Sequence, residues 1–168
     1  MDNLRMLIHY KAWADAELFG CVAELSPEQR QQPQPIFFGS LIRTMNHCYL
    51  MDRVWKANLT GQQHGITSRN PRDCPDFSSL HTQQMALNQR LIEYMKTLTA
   101  PESTEDVEFE FIGGGHAKMT RSEMLYHLVN HSTYHRGHVA DMLYHFGLSP
   151  PTTDLPVYIR LVREGALI

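Results

Sequence analysis

Cysteine is scarce in this chain: Cys21, Cys48 and Cys74 are odd in number, far apart and form no CxxC pair. That usage argues against a disulfide framework and suits a reducing compartment, so a bacterial-type cytoplasmic location is expected. Long apolar runs are missing too. Nothing approaches the roughly 18 to 20 apolar residues of a membrane-spanning helix, and Asp2, Arg5, Lys11, Asp15 and Glu17 interrupt the N-terminal stretch. Neither a signal peptide nor an anchor is expected, and no membrane partner. Positive charge is not in excess either. Fifteen Lys and Arg stand against 18 Asp and Glu for a formal net charge of -3, and the basic residues are scattered, which removes the electrostatic footprint of a nucleic-acid binder. There is no nucleophile elbow, phosphate-cradling glycine loop or dinucleotide fingerprint; Gly113 to Gly115 read as a turn.

What is present fits an ordinary globular protein. A length of 168 residues, 42% of them hydrophobic and 20% charged, supports one domain spanning residues 1–168 with a real core. Histidine is the anomaly, with ten residues in the chain, four of them (His127, His131, His135 and His138) within a single dozen positions.

The periodicity predicts an all-α fold: a four-helix bundle with a small β-hairpin before the fourth helix and a short C-terminal helix. Asp2 or Asn3 can cap a first helix carrying Leu4, Ile8, Ala14, Leu18 and Val22 at helical spacing, ending before Ser26-Pro27, and Ser26 to Gln29 read as a brief capped turn. Ser40 can cap a second helix over about Leu41 to Asn58, apolar on nearly every side; Asp52 lies within one of its apolar stripes and needs a partner. The stretch 60–75 reads as a loop over the outside of the bundle. Asp76 can cap a third helix, closed by Pro101. Val107, Phe109 and Phe111 alternate with Glu108 and Glu110 ahead of the glycine turn, as in a hairpin. Thr120-Arg-Ser-Glu123 is a capping box for a fourth helix to about Phe146, with Gly147 as its left-handed terminator. Asp154 or Thr153 can cap the last helix, with Pro156 in its first turn.

On that fourth helix, successive residues turn by about 100°, so His127, His131, His135 and His138 fall within roughly 80° of one face, which in a bundle points inward. Burial and mutual repulsion keep such imidazoles neutral, with free lone pairs for a metal. His131 and His135, one turn apart, can converge on one ion as the two histidines of HExxH do. Four ligands from one helical face would crowd one another, so a third belongs on another helix, where His47 is the candidate. His127 and His138 read as supporting histidines that hydrogen-bond nearby groups or as core residues. His9, His64, His81, His116 and His145 read as surface residues. A metal-free histidine network is the bland alternative.

The segment His127-Leu-Val-Asn-His131-Ser-Thr-Tyr-His135-Arg-Gly-His138, followed by Gly147-Leu and Thr153-Asp-Leu-Pro156, resembles the signature of the DinB family, the DinB/YfiT-like metalloenzymes. The helix order and the hairpin extend the resemblance over essentially the whole chain. It implies a four-helix bundle with crossover connections, often a homodimer, binding nickel, zinc or a related ion through His47, His131 and His135. The position of His138 more often holds glutamine in that family, leaving open a fourth nitrogen near the metal or a changed substrate contact.

Three protein ligands leave a coordination position for water or substrate, as in catalytic rather than structural sites. All-nitrogen ligation suits zinc, nickel, copper or iron without choosing among them and disfavours calcium and magnesium; the family resemblance implies a divalent transition metal, nickel or zinc first, with iron or manganese as alternatives. The expected function is therefore a metal-dependent enzyme acting on a small molecule, either a hydrolase or a transferase using a low-molecular-weight thiol; the second route is suggested by the family resemblance. Asp52, Tyr134 and Arg136 are candidate substrate or supporting groups, alongside packing roles. The competing class is a non-catalytic bundle in which metal secures the core or reports metal or stress.

Overall fold

The computed structural model describes residues 1–167, and side-chain caps fix where most of its helices begin. Helix α1 spans Asp2–Ala23, α2 Pro27–Gln31, α3 Leu41–Leu59, α4 Phe77–Thr97, α5 Ala100–Ser103, α6 Arg121–His145 and α7 Leu155–Arg163, with strands β1 Asp106–Glu110 and β2 His116–Thr120 between α5 and α6. Ser40 accepts from the Arg43 amide at the start of α3, and Asp76 accepts from the Ser79 amide at the start of α4. Ahead of α6, Thr120 accepts from the Glu123 amide at 3.2 Å, and its own amide donates to the Glu123 carboxylate at 2.7 Å. This closes the capping box. Gly147, at φ 76°, ends α6 in the left-handed conformation that an L side chain resists.

Three expected boundaries differ. Neither Asp2 nor Asn3 caps α1: Met1 is the N-cap, without a side-chain bond, and Asp2 lies in the first turn, where its charge favours the helix dipole. The turn after Ser26 is a five-residue helix with a full capping box to Gln29. Pro101 does not close α4, which stops at Thr97; Thr99 caps the separate α5, with Pro101 inside its first turn, where a missing N–H costs nothing.

α1 packs against α4 and α6, and α3 packs against the same two helices. α1 and α3 therefore occupy opposite corners of the bundle, as do α4 and α6. Two of the connections between successive long helices cross a diagonal, which makes this a four-helix bundle with crossovers. The hairpin pairs Val107 with Met119 and Phe109 with Ala117. Phe109 is buried against Trp55 of α3, with ring centroids 5.0 Å apart. Phe111, expected to continue the strand, lies beyond it and is 49% exposed. At one end of the bundle, α7 sets Tyr158 against Tyr10 and Trp13. No helix among the described residues is long and apolar enough to cross a membrane.

The core is split. One apolar cluster gathers around Ile8, Val54, Leu91 and Leu128, and the other around Leu18, Met45, Leu80 and Val139. Between them lies a buried polar layer to which all four long helices contribute. Lys11 donates to Asp15 at 2.8 Å, to Asp52 at 2.6 Å and to Asn88 at 3.0 Å. Gln84 donates to Asp52, Asn88 and Ser132 donate to Asp15, and Arg136 donates to Ser132 and to the Tyr10 hydroxyl. Burial disfavours the Lys11 ammonium, but Asp15 and Asp52 outweigh it and raise its pKa above the ordinary value. Burial raises the Asp52 pKa, against the pull of Lys11. Such a layer adds little net stability over apolar packing, yet losing one partner strands a buried charge. It links all four long helices through side-chain hydrogen bonds.

Candidate metal centre

Residues 131 and 135 lie one turn apart on α6 and interleave with Ser132 and Arg136 of the polar layer. Anchoring that layer therefore also anchors the two imidazoles. His47 reaches them from the second turn of α3. Its Nε2 stands 3.2 Å from His131 Nε2, which in turn stands 3.1 Å from His135 Nε2. One ligand atom from each of the three residues lies within 4.8 Å of the others, a grouping that could hold a metal ion. Nitrogens bonded at about 2.0–2.1 Å to a tetrahedral ion stand about 3.3 Å apart, so the two short separations fit such an ion with slight relaxation.

The imidazoles are held in the form a metal needs. Burial pushes His131 down to about 3, helped by His135, His47, His127 and Lys11. Burial takes His135 to about 4, with His47 and His138 adding to it. Burial also lowers His47, and a backbone hydrogen bond opposes it. That bond joins His47 Nδ1 to the Arg69 carbonyl oxygen at 2.8 Å; the carbonyl can only accept, so Nδ1 carries the hydrogen and Nε2 keeps its lone pair. On the other side, His135 Nδ1 lies 3.3 Å from His138 Nδ1. His138 therefore touches the ring edge of His135 and stands outside the three-nitrogen group.

The group opens into a cavity of about 620 Å³ lined by α3, α6, the hairpin and loop residues 68–70. His127 lines it as well, its ring 4.6 Å from Trp55 and 5.5 Å from His131, and burial lowers its pKa. Asp52 and Arg136 do not line this cavity. They belong to the polar layer and border, with His135, a separate void of about 20 Å³. Tyr134 points outward at 64% exposure, its ring edge-on to His135 and His138. A larger cavity of about 730 Å³ lies beside Arg43, Arg72 and Cys74 and contains none of the histidines.

Sequence reasoning missed the loop. The stretch 60–75 was expected to run outside the bundle without a role, yet Arg69 supplies the carbonyl that orients His47, and Ser68, Arg69 and Asn70 wall the cavity. A backbone carbonyl leaves no signature in a sequence. No role at this site was expected of Trp55, Phe109 or Phe38, which also line the cavity. His64 and His81, expected at the surface, are half-buried: His64 accepts from the Ile66 amide, and His81 stacks on Phe19.

Diagonal helix connections, a hairpin beside the bundle and three histidines lining an open cavity define a helical-bundle protein with a candidate metal centre. The chain belongs to the DinB family, whose model matches residues 1–165. It is 25% identical over 163 residues to Protein DinB of Bacillus subtilis strain 168, covering 94% of each chain. Its fold is similar to that of a DinB-like protein from Bacillus cereus ATCC 10987, with TM-score 0.67, 20% identity and coverage of 85% of this chain and 90% of that one. It is also similar to YfiT from Bacillus subtilis, with TM-score 0.63, 18% identity and coverage of 89% and 90%. YfiT is described as a probable metal-dependent hydrolase with an unusual four-helix bundle topology.

Proposed function

We propose that the protein is a metal-dependent hydrolase acting on a small molecule, with a divalent transition metal held by His47, His131 and His135. One observation carries this: the three imidazoles converge and line a cavity of about 620 Å³, within the size range of small-molecule sites. A structural metal would instead be closed in by a fourth protein ligand. Nickel and zinc suit the donor set first, and iron or manganese are admissible. A metal bound there would supply a nucleophile at neutral pH by lowering the pKa of water, or would activate a thiolate.

The chain's own residues supply the rest. Arg69 orients His47, and the polar layer holds the α6 backbone that carries His131 and His135. His127, neutral at pH 7, offers a lone pair at the cavity wall and is the candidate proton acceptor. Trp55, Phe109 and Phe38 give the cavity apolar walls beside the histidines. Transfer to a low-molecular-weight thiol is the second reading; none of the three cysteines lines the cavity, so that thiol would come from a cosubstrate. The test is elemental analysis of protein purified without chelator or affinity tag, followed by ester, amide and thiol-transfer assays with the metal found. About one equivalent of metal and an activity lost in His131→Ala support the proposal. A protein that takes up no metal after reconstitution overturns it.

A further inference from the structure

The walls of the cavity say what kind of molecule it takes. From His131 a continuous series of rings leads outward: His127 at 5.5 Å, then Trp55 at 4.6 Å, Phe109 at 5.0 Å and Phe111 at 5.1 Å between successive centroids. On the opposite side Phe38 stacks on His47 at 4.3 Å, and Phe37 meets Phe38 at 5.2 Å. Both series end in solvent, with Phe37 84% and Phe111 49% exposed. Phe37 and Phe111 both line the cavity, so apolar surface runs from the histidines out to solvent on both sides.

The spacing along α3 gives the length. His47, Met51, Val54, Trp55 and Asn58 all line the cavity, and the eleven residue steps from first to last rise about 16 Å. The one polar α3 residue at the far end is Asn58, whose buried amide nitrogen has no hydrogen-bond partner among the described residues. Away from the histidines and the cation they would hold, the ionisable lining residues are Arg69 and Glu110, of opposite sign, so that part of the wall has no excess of either charge, and a charged tail there would lose hydration.

On the footing of the metal site proposed above, we infer that the ligand is an elongated, uncharged, largely apolar molecule, with its polar reacting group at the three histidines and its tail along the Trp55–Phe109–Phe111 wall. The test uses two series of straight-chain probes from two to about ten carbons, the reach that about 16 Å allows. Alkyl hydroxamates, whose head chelates metal, are titrated by calorimetry into zinc-loaded protein; the matching primary amides, which lack that head, are titrated into His131→Ala. Affinity rises about threefold to fourfold per added methylene in both series. A terminal carboxylate or ammonium cancels the rise, and Phe111→Ala, at an exposed position, flattens it for the longest tails. A flat response to length in both series overturns the inference. Should acetohydroxamate bind His131→Ala as well as it binds the wild type while the amides retain their length dependence, the metal site fails and the apolar channel stands.

Discussion

The Arg69 carbonyl oxygen lies 2.8 Å from His47 Nδ1 and so decides which nitrogen of that ring faces the cavity. With the hydrogen held on Nδ1, the lone pair of Nε2 points at His131 Nε2, 3.2 Å away. That lone pair can accept a hydrogen from the His131 ring or bind a cation shared with it. The loop thus presents His47 Nε2 as a ligand atom.

Metal content follows directly. Wild-type protein reconstituted with zinc or nickel and dialysed should retain about one equivalent, whereas His47→Ala and His131→Ala should retain almost none. His64→Ala should match the wild type, because His64 serves only the Ile66 amide of its own loop. Elemental analysis of the four proteins decides it; equal retention in all of them would remove the site.

Acid should destabilise the metal-free protein through the same rings. The folded-state values of about 3 for His131 and about 4 for His135 lie below the ordinary value near 6.5. Above that value both states are neutral, and stability does not depend on these groups. As pH falls through it, the unfolded chain binds protons that the folded chain refuses, so stability declines down to about pH 4 to 3. Urea unfolding of His131→Gln against wild type over pH 7 to 4 should show a shallower decline in the variant, by up to about one bound proton. The Asp52 contribution is common to both proteins and drops out of the comparison. Parallel curves would mean that His131 is not buried as described.

Lys11→Met should be among the most damaging single substitutions. It leaves Asp15 and Asp52 facing each other in a layer where Lys11 is 1% exposed, at a cost of about 3–5 kcal/mol. Adding Asp52→Asn should recover part of that loss, because one stranded charge goes with it. Chemical denaturation of the single and double variants gives both values; a cost near zero for Lys11→Met would show that the layer is hydrated and loosely held.

Periodicity made the helices and the histidine face legible, because α3, α4 and α6 each begin at a residue whose side chain bonds the backbone and each repeats its apolar residues at helical spacing. Lys11 and Asp15, Gln84 and Asn88, and Ser132 and Arg136 are also four apart, but of the polar layer only Asp52 was singled out as needing a partner. Their convergence was not legible. It depends on how far each helix slides against its neighbours, and no spacing within one helix carries that register. The same holds for Trp55 and His127, neighbours only because α3 and α6 pack side by side. Arg69 was beyond reach for another reason: its contribution is a carbonyl, which every residue has.

His138 touches the site through one bond, and that bond sets its expected effect. With a metal on His135 Nε2, the ring hydrogen would sit on Nδ1, 3.3 Å from His138 Nδ1, which would accept it. An acceptor there fixes the His135 ring and increases its basicity, and losing such a partner typically weakens metal binding by about 10- to 100-fold. His138→Leu should therefore raise the zinc dissociation constant by about that factor, measured by competition with a chelator of known affinity. His138→Gln, which keeps an accepting oxygen at similar reach, should restore most of it. A fourth metal ligand would behave differently, because glutamine coordinates a transition metal poorly and both variants would be equally impaired. Equal losses in the two would assign His138 to the metal itself; no loss in either would leave it as packing against Tyr134.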